Sequence, residues 1–484
     1  MTFFAQQTWD GRGYVAGWVP LSGTIVVTSP STGDAVATVG AADADEVGEA
    51  IDRAEAAQWD WAARPAPERA EIMRRAATLL EEHGDVLSRW LVDEAGSAQG
   101  KAAFEVGLVL SELHQASATA VAPYGQLLTS SRPRLSLARR RPVGVVGVIS
   151  PFNFPAILAA RSVLPALALG NAVVLKPDPR TAVSGGLFLA ALLEAAGLPA
   201  GLLAVVPGGL DAGTALIEHP AVPVVSFTGS TSAGRAIGER AGRLLKRAHL
   251  ELGGNNAMIV LPDADVAAAA AAGAWGSFLH QGQICMTTGR HLVHADVYEE
   301  YTDRLAEKAR ALTAADPATG APLGPLIDAG QRDRVHGIVT ASVAAGAELR
   351  AGGEYTDLFY QPTVLSEVRP THAAFTEEIF GPVAPVIRFE DVDEAIDLAD
   401  ASPFGLSVSV LGGDAFRAFE LGERISSGIL HINDQTVDDE AQAPFGGTGH
   451  SGTGARFGGH DANIEAFTDT QWVTVQSRIA AYPF

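Results

Sequence analysis

From Val143 to Leu245 the chain alternates short apolar runs with longer helical ones, and this rhythm restricts the fold more than any other feature. Val143-Gly-Val-Val-Gly-Val-Ile149 reads as a buried strand and Ala156 to Leu169 as a helix. Ala172-Val-Val-Leu175 is a second strand, Thr181 to Ala196 a helix closed by Gly197, and Leu202-Leu-Ala-Val-Val206 a third strand. Pro223-Val-Val-Ser-Phe227 then feeds a Gly/Ser turn and a helix reaching Leu245. Such a βαβαβ order predicts a parallel sheet with helices on both faces, a scaffold that binds nucleotides. A second α/β series starts after Gly253-Gly254. Ala257-Met-Ile-Val-Leu261 is its first strand, and Ala264 to His280 a helix capped by Asp263 or Asp265. Similar units run to about residue 430. Upstream, residues 40 to 120 read as helices, with apolar side chains at i, i+3 and i+4 in Ala44–Ile51 and Pro67–Ala76.

A chain of 484 residues exceeds one hydrophobic core, so two or three domains are expected. The net charge of -22, from 34 basic against 56 acidic residues, argues against nucleic acid or an anionic membrane as partner. The uncharged run from Val143 to Ala160 is long enough for a membrane span. Ser150, Pro151, Asn153 and Pro155 interrupt it, so strand, turn and helix is the better reading, and no membrane association is expected. The N-terminus shows no secretory signal, and the single cysteine suits a reducing compartment, so a cytoplasmic protein is expected.

That cysteine, Cys285, lies in His280-Gln-Gly-Gln-Ile-Cys285-Met-Thr-Thr-Gly289, just after the Ala-rich helix. It is either a small buried hydrophobe or a reactive nucleophile, and the Gly/Gln turn around it favours the nucleophile. Two glycine patterns are decoys. Gly447-Thr-Gly449-His-Ser-Gly452 matches a dinucleotide fingerprint by letter but opens no βαβ helix. Gly229-Ser-Thr-Ser-Ala-Gly234 is spaced like a P-loop, yet Arg235 and Ala236 replace the required Lys and Ser/Thr. The turn still precedes a helix, whose free N–H groups suit a pyrophosphate. His291 and His294 would face opposite sides of a strand, so no metal site is expected. The basic stretch Ser131–Arg141 reads as a projecting β-ribbon. The alternating tail Phe467–Gln476 reads as a long edge strand, which calls for a partner.

Seven segments then occur in register: Pro151-Phe-Asn-Phe-Pro155, Leu175-Lys-Pro177, Phe227-Thr-Gly-Ser230, Leu250-Glu-Leu-Gly-Gly254, Gly282-Gln-Ile-Cys285, Glu377-Glu-Ile-Phe-Gly-Pro382 and Pro444-Phe-Gly-Gly447. Together they resemble the aldehyde dehydrogenase superfamily across essentially the whole chain, most of all its bacterial benzaldehyde/vanillin branch. The resemblance implies an α/β fold with a Rossmann-like cofactor domain (1–122 and 142–252), an α/β catalytic domain (253–463) and a small β oligomerisation arm (123–141 and 464–484). It also implies a homodimer or homotetramer acting on a small-molecule aldehyde with NAD or NADP.

Residue by residue, the resemblance makes Cys285 the nucleophile that forms a thiohemiacetal and then a thioester. Asn153 becomes the oxyanion donor, and Glu251 the general base that hydrolyses the thioester to free acid. Ser150, Phe152, Lys176, Pro179, Arg180, Gly229, Ser230, Glu378 and Phe380 fall at cofactor positions. Pro179 departs from NAD-specific relatives, which carry a Glu there; its absence removes a block against NADP, and Lys176 and Arg180 stand nearby as cations. Phe152, Trp275, Phe278 and His280 flank the catalytic segments and are expected to line an aromatic substrate slot, with the Phe104 to Leu113 region opposite. With no evident substrate-facing Arg, such a slot suits aromatic aldehydes better than carboxylated semialdehydes. A semialdehyde dehydrogenase of the same family, a non-catalytic protein on this fold and a thiol protease are the competing readings. The presence of Cys285, Asn153 and Glu251 counts against the second, and the lack of a protease-like His context against the third.

Overall fold

The apolar runs assemble into two seven-stranded sheets in a computed structural model that describes residues 4–123 and 125–484. In the first sheet the order is Arg247–Glu251, Val224–Thr228, Val145–Ile149, Ala172–Lys176, Leu203–Val205, Arg12–Val15 and Trp18–Pro20. Its first five strands are parallel, and the last two are added antiparallel. Val145, Val146, Val148, Val173, Val174 and Leu175 are all buried, as strands covered on both faces require. The second sheet runs Glu348–Ala351, Thr363–Ser366, Val383–Phe389, Thr288–His294, Asn256–Val260, Ser407–Leu411 and Ile429–Ile432, parallel except at the first pair. Glu251 ends a strand of the first sheet and Asn256 begins one of the second, so the intervening Leu252-Gly253-Gly254-Asn255 joins the two.

Helices Ala44–Ala63, Ala66–Ala95 and Gln99–Ala120 follow the two antiparallel edge strands and precede the parallel ones, as their periodicity predicts. Asp43 caps the first through a capping box with Glu46, and Asp265 caps Val266–Phe278 by accepting from Ala268 N–H. Helix Pro155–Ala168 starts with proline at its first position, where no N–H is needed. The region expected as one helix from Thr181 instead opens with a π-helical turn, Val183–Leu187, before Phe188–Ala195. The buried Glu94 carboxylate accepts from Val183 and Ser184 N–H at 2.9 and 2.7 Å there. The basic ribbon forms strand Leu135–Pro142, between Gly125–Leu127 and the tail strand Thr468–Val475. Among the described residues no helix is long and apolar enough to cross a membrane.

Candidate active site

Strand Val145–Ile149 has Ala172–Lys176 on one side and Val224–Thr228 on the other, so the chain reverses direction across the sheet at this point. A crevice is expected beyond the carboxyl ends of strands at such a switch. A cleft of about 690 Å³ lies there, lined among others by Ser150, Phe152, Lys176, Pro179, Arg180, Gly229, Ser230, Glu378 and Phe380. The structure thus brings together every residue the sequence places at the cofactor. Ser230 caps helix Thr231–Arg243, its Oγ accepting from Ala233 N–H at 3.3 Å, and the first-turn residues Thr231 and Ser232 face the cleft. The Ser150 hydroxyl is buried without a partner. These donors fit the phosphates and hydroxyls of a dinucleotide.

At the other end, Glu378 Oε1 accepts from Gly254 N–H at 2.9 Å. A Cβ on Gly253 would sit 2.1 Å from Glu378 Oε2, so only glycine admits that carboxyl group. Burial pushes Glu378 up to about 7. Phe152 and Phe380 meet edge to face at 6.0 Å. One expectation changes. The Arg180 guanidinium bonds Asp178 at 2.8 Å and Asp328 at 2.6 Å and stacks on Phe152, so its charge is already matched. Lys176 faces the cleft beside the strand ends, its pKa lowered by burial and supported by Asp178, and Arg334 lines the cleft near Glu377.

Cys285 is reached through a left-handed turn, with φ of 48°, 55° and 66° at His280, Gln281 and Gly282. A side chain at Gly282 would strike Gly381 O at 2.1 Å, which fixes glycine there. Asn256 Nδ2 anchors the segment by donating to Cys285 O at 2.9 Å and Thr287 O at 2.8 Å. Burial, with Glu378, Glu251 and Asp439 adding to it, pushes the thiol up to about 12, and Arg161 works the other way. Asn153 Nδ2 donates to Gln283 O at 2.9 Å, close beside the thiol-bearing segment. The Asn153 carbonyl accepts from Lys101 Nζ at 2.8 Å, and Lys101 pairs with Glu105 at 2.5 Å, both fully enclosed. Glu105 in turn accepts from Ala156 and Ile157 N–H at the start of the following helix. Glu251 is 3 % exposed and its carboxyl lacks a well-formed hydrogen bond. Burial raises it well above the carboxylate range against the pull of Arg456. A Cβ at Gly446 would lie 2.8 Å from Glu251 Oε1, so glycine lets this loop close over the carboxyl.

Cys285 and Asn153 also line a second, narrow slot on the far side, with Phe104, Leu108, Phe154, Ile157, Ile284, Met286, Val437 and Phe445. The Phe104 to Leu113 region contributes this wall through Phe104 and Leu108. Three other expectations are corrected. Trp275 is 54 % exposed on the outer face of helix Val266–Phe278, Phe278 is core of the second sheet, and His280 is buried against Phe154; none lines either cavity. The left-handed turn at 280–282 separates the helix from the Cys285 segment, so Trp275, Phe278 and His280 stay outside the slot while Ile284 and Met286 line it. Phe152 lines the dinucleotide side instead. The slot also contains Arg161 and Asp439, which the sequence reading missed. A lone charge within the apolar run Pro155–Leu169 was the available signal.

The sequence profile of the aldehyde dehydrogenase family matches residues 18–473. A vanillin dehydrogenase of Amycolatopsis sp. is 56 % identical over the full length of both chains. A benzaldehyde dehydrogenase [NAD(+)] of Pseudomonas putida is 47 % identical, with 99 % of each chain covered. Among solved structures, an NADP-dependent enzyme of E. coli superposes with a TM-score of 0.94 at 33 % identity, covering 98 % of this chain and 100 % of that one.

Proposed function

The chain belongs to the aldehyde dehydrogenase family, and from that premise we propose that it oxidises aromatic aldehydes to carboxylic acids with NAD or NADP. One observation carries this reading: Cys285 and Asn153, with Leu158, line both a dinucleotide-sized cleft and a narrow aromatic-lined slot. An aromatic-lined slot suits a planar ring whose aldehyde carbon would stand at the thiol, with the walls, which enclose about 30 Å³, moving apart to admit it. Cys285 Sγ attacks that carbon as thiolate, and the carbonyl oxygen becomes an oxyanion. Asn153 Nδ2 and the Cys285 N–H donate to it, each preorganised donor being worth about 3–4 kcal/mol. Lys176, Ser230, Glu378 and Phe380 line the cleft and would hold the dinucleotide, which when bound would supply the hydride acceptor. The resulting Cys285 thioester is cleaved by water that gives its proton to Glu251. Burial raises the Glu251 carboxyl well above the carboxylate range, which strengthens it as a proton acceptor for that step.

The carboxylated-semialdehyde alternative loses support from the Arg161–Asp439 pair, because the one cation in the slot is already neutralised. The same reading divides the chain at about residue 252 into cofactor and catalytic domains. It has the exposed edge of Thr468–Val475 serve a homodimer or homotetramer in the cytoplasm. Following NAD(P)H absorbance with benzaldehyde, vanillin and succinic semialdehyde tests the function. Turnover of the aromatic aldehydes, abolished in Cys285→Ser, is expected. A far higher kcat/KM for succinic semialdehyde, or an unchanged rate in the variant, overturns the reading.

A further inference from the structure

Glu251 is enclosed by a loop that carries a cation of its own. Residues 445–457 leave and return through paired backbone bonds, Phe445 N–H donating to Phe457 O at 2.7 Å and Phe457 N–H to Phe445 O at 2.9 Å. The middle of the loop is pinned to the strand that ends in the base. Leu252 N–H donates to Ser451 O at 2.9 Å, and Glu251 bridges Gly452. Arg456 ties the loop together, its Nη1 donating to Ala455 O at 3.0 Å and to Gly447 O at 3.1 Å. At Gly446 a Cβ would lie 2.8 Å from Arg456 Nη1 and 2.8 Å from Glu251 Oε1, and φ is 155°. The guanidinium and the carboxyl therefore face each other across one glycine that admits no side chain.

Neither Glu251 oxygen accepts a well-formed hydrogen bond. A carboxyl group enclosed in this way holds its proton, and a base already protonated cannot take one from water. A cation has to offset the enclosure. Two arginines act on Glu251, Arg456 from the loop and Arg161 from helix Pro155–Ala168, and the Cys285 thiol is the titratable group that senses it from the other side. Arg161 is ion-paired with Asp439 and also within range of Glu112, so its charge is already matched. Among the described residues Arg456 donates to backbone carbonyls alone, which leaves its charge free to act on the base.

We propose that Arg456 is a positioning residue for thioester hydrolysis: it fixes the 445–457 loop over Glu251 and supplies the unmatched positive charge that keeps the enclosed carboxyl ready to accept a proton. As the water oxygen bonds to the thioester carbon, one water proton passes to Glu251. The bond from that carbon to Cys285 Sγ then breaks, and the electron pair leaves with the sulfur. Arg456 keeps its own protons throughout. This rests on the general-base role of Glu251 in the proposed reaction.

The test uses the full chain and two readouts. Thioester hydrolysis is followed by rapid quench after one burst of NAD(P)H from benzaldehyde, between about pH 5 and 10, in wild type, Arg456→Gln, Arg456→Met and Arg456→Lys. Loss of the cation is expected to move the acidic limb of hydrolysis to higher pH by about one unit, a slowing of up to about tenfold below the limb, with the burst unchanged. Arg456→Lys should bring the limb back toward the wild-type position. A purely structural role would lower the rate at every pH and leave the limb in place. The second readout needs no reaction. The infrared carbonyl band of the protonated Glu251 carboxyl, identified by its loss in Glu251→Gln, should persist about one pH unit higher in the two neutral variants. A limb and a band that stay in place overturn the proposal, and if one neutral variant does not fold the other decides. Failure of the broader reading looks different: no burst appears in the wild type, while the infrared titration still reports whether Arg456 governs the carboxyl.

Discussion

Alkylation of Cys285 by iodoacetamide, followed from pH 6 to 9.5 in the protein without added cofactor, should keep rising with no plateau, less than tenfold per pH unit while Glu378 ionises near 7 and tenfold per unit above pH 8. Burial and the neighbouring carboxylates push the thiol up to about 12 from an ordinary 9.0. At 1.36 kcal/mol per unit this adds about 4 kcal/mol to the formation of the thiolate. At pH 8 about one thiol in ten thousand is then ionised, against about one in ten for an ordinary cysteine, so labelling is about a thousandfold slower. The chain has a single cysteine, so the mass shift of the intact protein reads this one site. Restricted access lowers the whole curve without moving its plateau, which separates shielding from a true change in acidity. Glu378 supplies a test of cause. It stands at about 7, carries its charge above that pH and helps to raise the thiol. Glu378→Gln should therefore speed labelling at pH 9 by about threefold to tenfold while leaving pH 6 nearly unaffected. A plateau at or below pH 8.5 in the wild type would refute the reasoning, because an enclosed thiol among three carboxyl groups would then be ionising as if exposed.

Asn153→Ala should lower kcat about 10²–10³-fold with a much smaller change in KM, measured by steady-state NAD(P)H production, since the amide serves the oxyanion rather than the ground state. Lys176→Met should raise KM for NADP more than KM for NAD, because Arg180 is held by Asp178 and Asp328 and cannot replace the lost charge; an equal rise for both would refute that assignment. Glu94 is buried and raised to about 7. Its native state holds a proton that the unfolded chain releases near 4.5, so the stability this contributes is full below pH 4.5 and is lost as pH rises through 7. The loss amounts to about 3 kcal/mol. Melting temperatures of wild type and Glu94→Gln should therefore diverge in favour of the variant between pH 5 and 8, whatever fixed penalty the amide incurs against two N–H donors; parallel curves would refute it.

The strand–helix rhythm was legible because strands buried on both faces can be little but apolar, and the cleft residues were legible because short motifs fix backbone turns. Side-chain direction was not. Trp275 and Phe278 lie within ten residues of Cys285, yet a helix rotates each residue by about 100° and three successive left-handed residues then turn the chain. Proximity in sequence therefore located the slot only for the immediate neighbours Phe154, Ile284 and Met286, and not across the turn. The polar end was hidden for a different reason. Arg161 and Asp439 lie 278 residues apart in the chain, so only folding brings the two charges together. Within the apolar helix Pro155–Ala168 a lone arginine still signals that a buried partner must exist.

Helix Gln99–Ala120 ties these parts together. At about 100° per residue, Lys101, Phe104, Glu105, Leu108 and Glu112 fall within an arc of about 100°, so one face performs three tasks. Lys101 and Glu105 fix the Asn153 peptide and the first N–H groups of helix Pro155–Ala168. Phe104 and Leu108 form the slot wall. Glu112 faces the charges of Arg161 and Asp439. The alignment of Asn153 rests on the buried ion pair and not on the wall residues, so the wall can change size while the oxyanion donor stays in register. Phe104, at 43 % exposure, is the position of least packing constraint on this face. Substitution there should redistribute kcat/KM among ring sizes at nearly constant kcat for the best substrate. Breaking the pair with Lys101→Met, by contrast, leaves Glu105 buried and uncompensated at a cost of about 3–5 kcal/mol, and both stability and kcat should fall together for every substrate.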